Sequence, residues 1–127
     1  VIVVFLGLVG CNTQHMAPVD HDFNPPADMT LACQAPTPSC PSVVPSWSTQ
    51  VSAIVQARCA GPCHSPGGVE STYPLTSYAD VTAKRETVLD QVYGCLMPPP
   101  GNDLGATLDA ADQATLISWL ACGAPNN

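Results

Sequence analysis

Half of the prolines in this chain fall in one stretch, and that distribution decides where a core can form. Between Asn12 and Pro45 the sequence reads NTQHMAPVDHDFNPPADMTLACQAPTPSCPSVVP, with seven of the chain's 14 prolines. Each proline removes a backbone donor and fixes φ, and the stretch has neither helical nor alternating apolar periodicity. It is expected to run as an extended tether over residues 11–44. His15, Met16, His21 and Met29 are dispersed along it and read as linker residues in preference to metal ligands. The folded unit is then expected over residues 45–127.

Ahead of the tether, VIVVFLGLVG is an unbroken apolar run. A membrane span needs about 20 such residues, so the run suits instead the hydrophobic region of a signal peptide. No initiating Met or basic leader precedes it, so residues 1–10 are read as a partial signal. The run closes as LVGC, which resembles the lipobox of bacterial lipoproteins. That resemblance implies cleavage before Cys11, lipid on Cys11, and a bacterial envelope location, facing the periplasm or the surface, anchored without spanning. The alternative is an ordinary signal peptide with a Cys there by chance.

The net charge is −7, and Arg58, Lys84 and Arg85 are the whole basic complement. No phosphate-tracking surface can be assembled from three cations, which excludes nucleic acid as a partner. The acidity suits a partner with a basic docking face, with a plain solvated acidic surface as the alternative reading. Seven cysteines in an exported chain point to disulfides, and Cys33 and Cys40 enclose a Pro-rich segment suited to a small disulfide loop.

Beyond Pro45 the pattern becomes helical. Trp47, Val51, Ile54, Val55 and Arg58 share one helical face, with Ser46 or Ser48 as candidate caps and an end near Cys59. SPGGVESTYPLT is a loop by its Gly and Pro content. SYAD at 77–80 has the form of a capping box, and Val81, Val88, Leu89 and Val92 continue it as a second helix to about Tyr93. CLMPPPGNDLG cannot be helical. A third helix follows, capped by Thr107 or Asp109, with a core face of Leu116, Ile117 and Leu120, Trp119 at its edge, and a stop at Gly123 and Pro125. The expected fold is all-α, with three helices and a thin core that calls for staples or a ligand.

CAGPCH at 59–64 brings two thiols and an imidazole within six residues. Taken alone it fits haem attachment, a local disulfide or a zinc-type site, although no further Cys or His follows closely enough to complete a zinc set. Met97, in MPPPG, is the sole Met after residue 45. By itself it reads as a gap-filling core residue.

The order of these elements resembles a minimal class I cytochrome c domain, of the kind found on bacterial envelope lipoproteins. The resemblance rests on RCAGPCHSPGG, LTSY, MPPPG and SWLACGAP and covers about two thirds of the chain; its attachment motif has three residues between the cysteines where two are usual. It implies one covalent haem c, with Cys59 and Cys63 as thioethers and His64 and Met97 as axial iron ligands. Arg58 becomes a candidate contact for a haem propionate, with a solvated helix-end Arg as the alternative. It also implies that Val51 and Val55 on the first helix meet Leu116, Trp119 or Leu120 on the last. Removing Cys11, Cys59 and Cys63 leaves Cys33 with Cys40 and Cys95 with Cys122 as expected bridges, or Cys95 as a minor alternative haem ligand. The implied function is electron transfer to a redox partner protein, with no catalytic residue. The alternatives are a disulfide-stapled envelope lipoprotein without haem, and a haem peroxidase or gas sensor should Met97 dissociate.

Overall fold

A computed structural model of the chain describes residues 35–127, and all its regular elements are helices. The first helical run, α1, covers 47–64 and changes its winding along the way. Trp47–Val51 is π-wound, Ser52–Val55 is α-helical and Gln56–His64 is π-wound again. The expected end near Cys59 is therefore corrected, and the whole CAGPCH motif is helical. A π-turn bonds residue i to i+5 and so takes more residues per turn than an α-turn. Gly61 permits this winding, because a Cβ there would lie 3.2 Å from the Gln56 carbonyl oxygen five residues back.

The start of α1 is also satisfied differently from expectation. Ser46 is the N-cap residue, but neither Ser46 nor Ser48 caps with its own side chain. Asn127 does the work instead. Its carbonyl oxygen accepts from Ser46 Oγ at 2.7 Å, from Ser48 Oγ at 3.0 Å and from the Ser48 amide at 3.1 Å, while its Oδ1 accepts from the Trp47 amide at 3.1 Å. Donors left open by the first turn are thus closed by a residue far along the chain.

The expected helix over 77–93 is split into α2, Tyr78–Ala83, and α3, Arg85–Tyr93. The Ser77 capping box forms as expected, with Asp80 N donating to Ser77 Oγ at 3.1 Å and Ser77 N donating to Asp80 Oδ2 at 3.0 Å. The break falls at Lys84, which leaves the helical region at φ −117° and ψ 18°. Thr82 Oγ1 donates to the Tyr78 carbonyl at 2.9 Å, a back-bond that bends helices.

Hydrogen bonds from Ser77 and Thr76 hold the Asp80 carboxyl below its usual range. Its share of stability is present above the unfolded-state value and disappears as pH falls through the folded one. Asp80→Asn is accordingly expected to be less stable than the parent at neutral pH, with the two chains converging in acid, as read by urea titrations at several pH values.

The last helix, α4, spans Ala110–Ala121. Of the two candidate caps Asp109 is the one used, its Oδ1 accepting from Ala111 N at 2.9 Å and Asp112 N at 2.8 Å. Asp109→Ala should cost about 1 kcal/mol in denaturant unfolding. At the other end Gly123 sits at φ 85°, the left-handed position that stops the helix. The Leu120 carbonyl there accepts from Arg85 Nη1 at 3.0 Å.

One core joins these elements. Leu116, Ile117, Trp119 and Leu120 of α4 pack with Val51 and Val55 of α1, Val81 of α2, and Val88, Leu89 and Val92 of α3. The meeting of Val51 and Val55 with α4 is as expected, but Trp119 lies in the centre of the core and not at its edge. Trp119 is fully enclosed; its Nε1 donates to the Pro125 carbonyl at 3.0 Å, and the Trp47 ring lies 5.2 Å from its own. Trp47 also meets Tyr78 edge-on at 5.4 Å. These contacts give Trp119 a packing role.

The disulfide pairing is corrected as well. Cys40 is bonded to Cys122, so neither the Cys33 with Cys40 loop nor the Cys95 with Cys122 bridge is formed. The bridge attaches the segment ahead of Pro45 to the end of α4, and Ala35 and Val44 pack against the core beside it. Cys95 is itself disulfide-bonded, which removes it from the candidate iron ligands. Among the described residues there is no strand, and no helix is long and apolar enough to cross a membrane. Cys11, Cys33, residues 1–10 and the tether's His15, Met16, His21 and Met29 lie outside the described residues.

Candidate functional site

The π-wound end of α1 carries Arg58, Cys59, Cys63 and His64, and all four line one cleft. In this winding His64 follows Cys59 by one i to i+5 step, with Cys63 just before it, so the motif shares one side of the helix. The extra residue between the cysteines is taken up by the wider turn. Val88 and Gln91 of α3 form the facing wall, and the loop after α3 adds Met97. The cleft is partly open to solvent and its wall is mostly apolar, with Arg58, His64, Thr87 and Gln91 among its polar members. Arg58, Cys59, Cys63, His64 and Met97 are therefore gathered at one site, whereas Cys95, the minor alternative ligand, does not line it.

The loop before α2 fixes His64. The Leu75 amide donates to the His64 carbonyl at 3.0 Å, and His64 Nδ1 lies 2.8 Å from the Tyr73 carbonyl oxygen. A carbonyl only accepts, so Nδ1 carries the proton and Nε2 keeps a lone pair. The Tyr73 ring stands edge-on to the imidazole at 6.0 Å, with Lys84 Nζ 5.1 Å from the Tyr73 ring centre. Burial holds the His64 pKa below its ordinary value; the Tyr73 hydrogen bond and the Glu70 carboxylate oppose that shift and Lys84 adds to it. The result is a buried neutral imidazole, 6% exposed, held in one tautomer. This is the state in which histidine ligates a metal, and the Nδ1 carbonyl contact is the usual outer partner of such a ligand.

Met97 is held from α3. The Leu96 and Met97 amides both donate to the Gln91 carbonyl, at 2.9 and 3.2 Å. Asn102 then folds the rest of that loop, its Nδ2 donating to the Pro99 and Ala106 carbonyls at 2.8 and 2.7 Å and its Oδ1 accepting from the Ala106 amide at 3.1 Å. Gln113 of α4 donates to the Val92 carbonyl at 3.0 Å and closes the end of α3.

The two cysteines of the motif differ. Cys59 is a free thiol whose pKa burial pushes up to about 11, so it is fully protonated at neutral pH. Cys63, 5% exposed, is disulfide-bonded. Arg58 donates from Nε to Asp112 Oδ2 at 3.1 Å, tying α1 to α4, while still lining the cleft. Its half-exposed pair contributes about 0–1 kcal/mol. No group of three or more His, Cys, Asp or Glu side chains suited to a metal ion occurs among the described residues, so the zinc-type alternative for CAGPCH has no ligand set there.

Tyr73, Gln91 and Asn102 are the site residues that sequence reasoning missed. Gln91 had a visible signal, being a polar residue three positions after Val88 and beside Val92 on the apolar face of α3. Tyr73 acts through its carbonyl, which no side-chain pattern reveals. No family model, curated protein or solved structure matches this chain.

Proposed function

We propose that the domain is a mono-haem c-type cytochrome that carries single electrons, with thioethers at Cys59 and Cys63 and axial ligation by His64 and Met97. What supports this is one observation: four residues nominated from two separate segments line a single apolar cleft. The residues fit the group chemically. Cys59 offers a free thiol on the same side of the helix as a buried neutral imidazole, Cys63 lies beside it with its sulfur in a disulfide, a soft thioether borders the same cleft, and the wall is mostly apolar.

When bound, the haem supplies the one-electron couple. His64 would offer its Nε2 lone pair to the iron, its proton held on Nδ1 by the Tyr73 carbonyl. Met97 contributes its thioether, and the Gln91 carbonyl holds the loop that presents it. Val88 and Val92 keep water from the cleft wall. Attachment at Cys63 would require its thiol, which an external dithiol would supply by thiol–disulfide exchange, the dithiol becoming a disulfide and both Cys63 and its former partner becoming thiols. The acidic chain suits a redox partner with a basic face, and Cys11 would carry the lipid that anchors the domain to the envelope membrane.

A haem-free, disulfide-stapled envelope protein is the second reading, favoured by the disulfide at Cys63. The optical spectrum of protein exported from a host with haem-attachment machinery separates the two. A reduced c-type band pattern together with a Met-to-iron band in the oxidised form is expected. A colourless protein would establish the second reading instead.

A further inference from the structure

The wall of the cleft contains one polar side chain that nothing among the described residues satisfies. Gln91 is 7% exposed, and among the described residues both its Nε2 and its Oε1 are buried without a hydrogen-bond partner while the residue lines the cleft. A buried amide left unpaired is costly, and native interiors rarely keep one without a use. Its backbone already serves, since the carbonyl holds Leu96 and Met97. Its side chain is therefore free to face an occupant. An amide offers a donor and an acceptor side by side, the complement of a carboxyl group, which accepts from Nε2 when ionised and also offers an O–H to Oε1 when protonated. Arg58 supplies the sole cationic side chain on the same wall, which favours an acidic substituent over a neutral amide.

We infer that Gln91 is the contact that binds a carboxyl group of the molecule filling the cleft, and so makes the site selective for a carboxyl-bearing porphyrin over one without. This rests on the cleft being a porphyrin site. It is tested on the full chain by fluorescence titration with protoporphyrin IX, which has carboxyl groups, and etioporphyrin, which has none. Gln91→Leu should weaken protoporphyrin IX binding about tenfold or more and leave etioporphyrin unchanged, since a hydrogen bond to a charged group is lost. The same substitution removes an unpaired buried amide, so the ligand-free chain should melt about 5 °C higher. Gln91→Glu, which keeps the size and adds a negative charge, should show the same selective loss and serves as the second variant should Gln91→Leu fold poorly.

Equal losses for both porphyrins, or no loss for either, would overturn the role of Gln91 while leaving the porphyrin site standing. Failure of the unsubstituted chain to bind either porphyrin would remove the site and this inference together.

Discussion

A Cys40→Ser/Cys122→Ser variant is expected to lose about 4 kcal/mol of stability, enough to unfold much of a small domain at 37 °C. The bridge joins residues 82 apart, and in the chain-entropy model a crosslink of that span restricts the unfolded ensemble more than one closing a short loop. It also acts where the fold has few other ties. It holds the segment ahead of Pro45 against the end of α4, next to the place where Asn127 closes the first turn of α1. Losing it should fray both ends of the domain together. Urea unfolding measures the loss directly, and thermal melts should show a correspondingly large fall in Tm. A loss below about 1 kcal/mol would mean that the core and the Asn127 contacts suffice without the bridge.

The second large effect concerns the iron. If the proposed haem is bound, Met97→Ala should abolish the Met-to-iron band while the haem stays covalently attached through Cys59 and Cys63. The reduction potential should fall by on the order of 0.1 V or more, within the roughly 0.8 V that axial ligands span, because thioether ligation favours the reduced iron. The fold should survive, since Met97 is only partly buried and lies outside the main core, and the loop keeps its Gln91 and Asn102 hydrogen bonds. An unchanged spectrum would place the sixth ligand elsewhere.

That Cys59, Cys63, His64 and Met97 stand out was legible in the sequence because cysteine, histidine and methionine are rare and positionally distinct within residues 45–127. All four line the cleft. Local helix signals were legible too. The Ser77 box, the Asp109 cap and the Gly123 stop depend on bonds between residues a few positions apart, and such bonds leave a pattern in sequence.

What escaped depends on distant partners or on winding. The continuation of α1 through Gly61 was hidden because Gly and Pro normally end an α-helix, whereas a π-turn gains from the missing Cβ. The break at Lys84 has no Gly or Pro to announce it, and the Thr82 back-bond that accompanies it resembles an ordinary helical residue in sequence. The Cys40 to Cys122 pairing is a fact of tertiary approach, which spacing along the chain does not encode. Trp119 was set at the edge of its helix face, yet Trp47, Tyr78 and the Pro125 carbonyl enclose it from outside α4.

Intact-mass measurement of the protein purified from a maturation-competent host distinguishes a porphyrin covalently bound between α1 and α3 from an unmodified chain. The expected result is the chain mass increased by one haem under denaturing conditions, with the increase lost in Cys59→Ser/Cys63→Ser. A denatured mass equal to that of the unmodified, disulfide-bonded chain would contradict it.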